Sequence, residues 1–397
     1  MCSSDLSWLE RRSHIPEVTG SSPVPPILRR VLVLSHTYLQ PAHRGKLRAL
    51  AARGLEVTVA IPQRWREPWF GRPIDVAWER QGGLEVFPLP AHGMGQKGEL
   101  EKATYGRRAL KALLRDRRPD LVQIEEEPTT PAARQVLAAA RRLAIPVVLF
   151  TRQNVDLELG WWARWKHRRM LRRLTGLVAG SDLAGSLARH DAPNLPIAVI
   201  PQLGALAPHE PQHVPHEGLA IGFIGRLVRN KGIDNLLEAL ALQRGAKWRL
   251  TIVGDGPERE RLERLATELR LAARVRWTGG LPGEQVASLW PDLDVLVQPS
   301  RALPDYREAN GHVLMEAMAN EVAVVGTDSG VIPELIADAG VVVPSGDVPA
   351  LAAALARVSD QPARRALAAA ARARALRLYS DDAIAERTLE FWKQLVK

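Results

Sequence analysis

From residue 27 to the end of the chain, short apolar runs alternate with amphipathic helical stretches, and few folds accept that pattern. The runs at 31–35, 55–61, 84–87, 121–124, 145–150, 176–179 and 197–200 are almost continuously apolar. Strands buried on both faces read this way, whereas half-exposed strands alternate polar and apolar residues. Helical spacing occupies 45–53, 105–117, 130–143 and 181–190 between them. A proline-rich stretch at 201–215 interrupts the pattern and reads as a linker. A second series then follows, with runs at 219–224, 248–253, 275–277, 293–298, 323–325 and 341–343. In this half Asp234 and Asp255 suit helix N-caps, and Pro257 suits a first helical position. The expected fold is α/β: two Rossmann-like, doubly wound parallel-sheet domains at 27–203 and 216–380, joined by 204–215 and facing each other across a cleft. Residues 1–26 have no periodicity and are expected to be disordered, or a spurious extension.

Length and charge narrow the function classes. A chain of 397 residues can bury two full cores. It contains no run of apolar residues long enough to span a membrane. Its single cysteine, Cys2, excludes an internal disulfide framework and a cysteine-based zinc site, and suits a reducing compartment. The formal charge of +10 is unevenly placed: residues 27–203 hold 29 basic against 16 acidic residues, and 204–397 hold 23 against 25. Such a field attracts nucleic acid, an anionic membrane surface or a phosphorylated substrate. No nucleic-acid-binding motif accompanies it.

In doubly wound sheets ligands bind outside the carboxyl ends of the strands, so the loops that follow strands carry the chemistry. In the second half these loops hold Gly225-Arg226, then Lys231-Gly232 at a helix start, Gly254 to Pro257, and Thr278 to Leu281. Pro299-Ser300 leads into the run Glu308-Ala-Asn-Gly-His-Val-Leu-Met-Glu316. That run places one carboxylate on a loop and another inside a helix that starts near Asn310 and Gly311. A helix N-terminus lies between them, with free amides and a glycine that a phosphate could approach closely. Each element alone is ordinary, since glycine after a strand usually makes a turn and single charges are usually solvated. Their order and spacing together point to a diphosphate flanked by hydroxylated groups.

The stretch from Ile221 to Asp347 resembles the donor-binding domain of glycosyltransferase family 4, retaining enzymes of the GT-B architecture. The resemblance extends over nearly the whole chain after Pro26 and is densest in Gly225-Arg226, Lys231-Gly232, Gly254 to Pro257, Glu308 with Glu316, and Gly330 to Glu334. It implies that Arg226 and Lys231 bind the distal phosphate of a nucleotide sugar, that Glu308 contacts the donor sugar and takes part in catalysis with them, and that Glu316 holds ribose hydroxyls. Gly225, Gly254, Leu281, Asn310, Gly311 and His312 complete the implied donor site. The resemblance also implies a last helix, 381–397, that returns to the first domain, and a reaction without metal or other cofactor.

Two departures from the family pattern lie on the first domain. The loop after its first strand, 36–45, has only one glycine, and Thr151-Arg-Gln-Asn154 stands where relatives often have a histidine. Glu126, Gln153 and Asn154 are the acceptor-side candidates, each weighed against an ordinary turn or cap. Glu125 and Glu127 flank Glu126 at the same strand end. The stretch 160–173 combines Trp161, Trp162 and Trp165 with six cations. It reads either as a helix at a membrane interface or as aromatics packed on the sheet. Trp65, Trp69 and Phe70 may be read in the same two ways, as acceptor-side or as loop packing. The expected function is a cytoplasmic, membrane-peripheral retaining glycosyltransferase moving a sugar from a nucleotide-sugar donor to a carbohydrate or lipid-linked acceptor, in cell-envelope polysaccharide or glycolipid synthesis. The alternatives are a sugar-nucleotide isomerase or epimerase on the same fold, and a non-catalytic basic binding module.

Overall fold

The computed structural model describes residues 28–65, 74–93, 103–156, 160–304 and 306–396. The expectations for 1–26, Trp69 and Phe70 lie outside the described residues. Two sheets organise the chain. The first has the spatial order Ile197–Val199, Gly176–Ala179, Val147–Thr151, Leu121–Ile124, Arg30–Leu34, Glu56–Pro62, Leu84–Leu89 and Glu79–Gln81. All its neighbours pair in parallel except the last two, which form an antiparallel edge that the sequence pattern did not reveal. The second sheet is wholly parallel, in the order Val275–Gly279, Trp248–Val253, Leu219–Ile224, Val295–Gln298, Ala323–Thr327 and Val341–Val343.

Each sheet is buried on both faces, which explains the unbroken apolar runs. Leu32, Leu34, Val122 and Leu149 face one core, together with helices Arg107–Arg117, Pro131–Arg141, Trp161–Leu171 and Asp182–Asp191. Val31, Val33, Val57 and Val148 face the other, with helix Gly45–Ala52 and the last helix, Asp381–Leu395. The chain therefore ends on the first domain, as expected. Trp392 is fully buried there, and its Nε1 donates to Gln123 Oε1 at 2.8 Å. The two segments that cross between domains run side by side, bridged between Ala205 and Ser380.

Two helix starts differ from expectation. Helix Ile233–Ala241 is capped by Gly232, while the Asp234 carboxylate bonds Arg261 and Arg301. Helix Arg259–Glu268 begins two residues after Pro257, and Asp255 bonds its neighbour Gly256 N instead of capping. In both places a charge partner or a local turn outcompeted the cap for the carboxylate.

Candidate active site

Strand order places the sites. In the second sheet the chain reverses direction between Leu219–Ile224 and Val295–Gln298, and in the first between Arg30–Leu34 and Leu121–Ile124. A crevice opens at such a reversal, because the loops leave in opposite directions. The second crevice carries Gly225-Arg226 on one side and the loop 299–308 on the other; the first carries His36 and Glu125 to Glu127.

Glu308 is the centre of the second crevice and is 3% exposed. Its Oε2 accepts from Lys231 Nζ at 2.5 Å, Ser300 Oγ at 2.8 Å, Tyr306 Oη at 3.2 Å and Gln298 Nε2 at 3.4 Å. Burial pushes its carboxyl up, but the Lys231 charge and the hydrogen bonds outweigh it and hold it below the usual range. No described residue bonds Oε1. Lys231, read from sequence as a phosphate cation, is thus paired with the carboxylate read as a sugar contact. Arg226 is exposed, and its charge reaches the Tyr306 hydroxyl beside them. Gly330 has φ +57° and lets Glu308 O pass where a Cβ would stand at 2.0 Å, so the loop carrying Glu308 is clamped by backbone.

The helix beyond is His312–Ala319, with Gly311 as N-cap and Glu316 in its second turn. Glu316 Oε1 lies 3.4 Å from His312 Nε2, and His43 from the first domain packs edge-on against the His312 ring at 5.6 Å. Burial raises the Glu316 carboxyl, yet His312 and His43 draw it below its ordinary value; burial likewise opposes charging His312, and Glu316 with Asp381 overrides it upward. Gly311 serves packing: a Cβ there would stand 1.9 Å from Leu335 Cδ1. The helix start is also shut. Asn310 Oδ1 takes the His312 amide at 3.2 Å, and the hollow between Asn310-Gly311 and Arg152, Gly180 and Gln202 holds about 20 Å³, room for one water. Gly225 and Gly254 sit on the adjoining strand ends, with Gly225 N on Val253 O and Gly254 N on Gly279 O, and Leu281 is half-buried in the next loop. Gly283, two residues on, faces Ala42 across the cleft.

On the first domain the three glutamates part ways. Glu125 is buried and accepts from Tyr38, Lys46, Gln123 and Gln202, which makes it a structural hub. Glu127 ties down the next loop through Thr151 Oγ1 at 2.6 Å and Arg152 N at 3.0 Å. Glu126 bonds His36 Nδ1 at 2.9 Å, and the His36 ring lies parallel on Trp65 at 5.0 Å. His36 was missed in the sequence; its signal was its place directly after the first strand, which in a doubly wound sheet borders the reversal. Asn154 is buried and crosses the cleft, donating from Nδ2 to Glu308 O at 2.9 Å and Arg307 O at 3.3 Å. Gln153 turns away, into a hollow between helices Trp161–Leu171 and Asp182–Asp191. Among the described residues no three His, Cys, Asp or Glu side chains gather as a metal site.

Two family models match this chain: "Glycosyl transferases group 1" over 209–374 and "Glycosyl transferase 4-like domain" over 41–202. Similar proteins include the 2-deoxystreptamine glucosyltransferase of Streptomyces kanamyceticus, 32% identical over half of this chain and 54% of that one. The alpha-D-kanosaminyltransferase of the same organism is 27% identical over 81% of this chain and 90% of its own length. Among solved structures, the sucrose-phosphate synthase of Thermosynechococcus elongatus superposes with a TM-score of 0.71 at 21% identity, covering 92% of this chain and 99% of that one. Anabaena HepE in complex with UDP-glucose gives 0.64 at 17% identity, covering 92% and 99%. These likenesses show the GT-B fold.

Proposed function

Because the chain belongs to the glycosyl transferases of group 1, we propose that it is a retaining glycosyltransferase that moves a sugar from a nucleotide-sugar donor to a carbohydrate or lipid-linked acceptor without a metal ion. One observation carries the reading: at the reversal of the second sheet, Lys231 is bonded to a buried, oriented Glu308, and the charge of Arg226 reaches Tyr306, which donates to the same carboxylate. The bonds to the Glu308 carboxylate described above all end on Oε2, so Oε1 is the oxygen left to accept from a donor-sugar hydroxyl. Arg226 and Lys231 then neutralise the distal phosphate, and the charge that develops as it leaves is what they stabilise best. Glu316 accepts from the ribose.

Retention is the course that the family resemblance implies, and of the acceptor-side groups only the His36–Glu126 pair could compete as a base. Gln153 and Asn154 cannot take a proton, Glu125 is saturated by four donors, and Glu127 is spent on its loop. An acceptor hydroxyl that enters on the face of the departing phosphate can give its proton to that phosphate. The His36–Glu126 pair, at the reversal of the first sheet, orients this hydroxyl. HepE, solved with UDP-glucose, makes a uridine-diphosphate sugar the first donor to try. The corresponding location is the cytoplasm, in peripheral contact with the inner face of the cell membrane, and the exposed tryptophans of helix Trp161–Leu171 support that contact.

Turnover of a panel of nucleotide sugars in excess chelator, with the product anomer read by proton NMR, tests the reading. The expected product keeps the donor's anomeric configuration. An inverted linkage, or activity that returns only with magnesium or manganese, refutes it.

A further inference from the structure

Helices Arg107–Arg117, Pro131–Arg141, Trp161–Leu171 and Asp182–Asp191 cover one face of the first sheet, and the C-terminal helix covers the other. The outward side of that four-helix layer has an unusual composition. Trp161, Trp162 and Trp165 are 69%, 58% and 51% exposed, while Met170 and Leu171 on the same helix are buried and hold it to the sheet. The indoles pack on one another, Trp161 stacked on Trp162 at 3.8 Å and Trp162 edge-on to Trp165 at 6.3 Å. Three adjoining indoles left in water mark a surface that expects a cover.

Cations surround this aromatic patch. Arg169 lies over the Trp165 ring at 5.3 Å, and Lys166, Arg172 and Arg173 are exposed with no carboxylate partner among the described residues. Beside it, a groove of about 730 Å³ runs between helices Arg107–Arg117 and Pro131–Arg141. Arg107, Lys111, Arg134 and Arg142 line the groove, and among the described residues no acidic side chain does. Arg141 Nη1 donates to Arg173 O at 3.0 Å, so the helix that forms one wall of the groove lies next to the helix that carries the tryptophans.

We propose that this surface docks on an anionic bilayer, with the three indoles in the headgroup layer and the groove cations on lipid phosphates. It deepens the peripheral location given above by naming the face, and it is independent of the transfer reaction. Indoles prefer the boundary between water and hydrocarbon, where ring and N–H are both satisfied. The cations spread over three helices instead of converging on a point, which suits a diffuse anionic plane more than a single acidic peptide. Helix Trp161–Leu171 follows the carboxyl end of strand Val147–Thr151, so Trp161 and Trp162 stand at the cleft rim. Docking there turns the cleft mouth toward the membrane, and a lipid-linked acceptor can enter without leaving it.

The test is sedimentation of the full chain with phosphatidylcholine vesicles, neutral or containing about a third phosphatidylglycerol, at low salt and at roughly 1 M salt. Two variants accompany it, Trp161→Ala/Trp162→Ala/Trp165→Ala and Arg107→Ala/Lys111→Ala/Arg134→Ala/Arg142→Ala. The expected result is binding to anionic vesicles at low salt, at least about tenfold weaker in each variant, since each surface cation contributes about fivefold. Turnover of a soluble acceptor stays unchanged in both variants, which separates this result from failure of the donor site. Three outcomes overturn the proposal: no binding at low salt, equal binding to neutral and anionic vesicles, or variants that bind like the wild type. If the tryptophan variant binds vesicles normally but loses turnover of the soluble acceptor, the indoles are a sugar platform instead.

Discussion

Replacing Lys231 with methionine removes the one cation that, among the described residues, bonds the buried carboxylate of Glu308, and leaves the aliphatic volume in place. Stranding a buried charge costs about 3–5 kcal/mol. Glu308 has a cheaper escape, which is to take a proton. A free carboxyl of this type titrates at 4.5, so protonation at pH 7 costs about 3.4 kcal/mol, from 2.5 pH units at about 1.36 kcal/mol each. The expected destabilisation is therefore about 3 kcal/mol at pH 7, falling to about 1–2 kcal/mol near pH 5.5. In the wild type the carboxyl titrates below its unfolded value, so its contribution is complete above that value and fades as pH falls. In Lys231→Met burial is unopposed, the folded value rises above the unfolded one, and stability falls as pH rises. Urea denaturation of wild type, Lys231→Met, Glu308→Gln and the double variant, at pH 5.5 and 7, measures this. The double variant regains most of the lost stability but not turnover, which drops by roughly 10²–10³-fold in every variant lacking the cation. A Lys231→Met midpoint within about 0.5 kcal/mol of wild type at both pH values, or a double variant no more stable than the single, would falsify the argument.

Arg226 is exposed and its side chain makes no hydrogen bond or ion pair among the described residues, so Arg226→Ala should leave the denaturation midpoint within about 0.5 kcal/mol while turnover falls by roughly 30- to 10³-fold; near-normal turnover places the diphosphate elsewhere. Trp392→Ala empties a fully buried site of the first core from the far end of the chain, and urea titration should show a loss of about 3–5 kcal/mol, whereas less than about 1 kcal/mol means the last helix is only draped on the surface. Burial holds the Glu334 carboxyl above its ordinary range, although Asp182 N donates to it at 2.8 Å across the cleft. Its stabilisation is thus present at low pH and lost as pH rises through the folded value. Glu334→Gln keeps an acceptor for that amide, so its melting temperature should exceed the wild type's at pH 7 and match it near about pH 4; parallel pH profiles would exclude the effect.

Most strands were legible because both faces of each sheet are buried, and a doubly buried strand leaves a continuous apolar run that needs no tertiary information. The edge strand Glu79–Gln81 is exposed throughout, so it left no such trace. Glu308, Lys231 and Arg226 were singled out because they follow strands in the loops that flank a reversal. What those loops did to one another was not legible. That Lys231 meets Glu308, 77 residues away, and that Gln153 turns away depend on packing within each domain, and that Asn154 reaches Glu308 O, 154 residues away, depends on how the two domains approach.

Glu125 and Glu126 show the same division at closer range. They are adjacent, both end one strand, and pattern reasoning treats them alike. Because side chains alternate along an extended backbone, one meets Tyr38, Lys46, Gln123 and Gln202 in the interior and the other meets His36 at the crevice. The tryptophans of 160–173 posed the question most plainly: helical spacing favoured packing on the sheet over exposure, and the position of Met170 and Leu171 against the sheet turned the three indoles outward instead. The sequence by itself determined the two main sheets, their largely parallel winding and which loops bear charge, since these follow from local periodicity and from rules of chain connection. The tertiary structure alone decided which charges are paired, which glycine makes room for a neighbour and which face is left uncovered, because pairing and burial are properties of groups far apart in the chain that only the packed fold brings within reach.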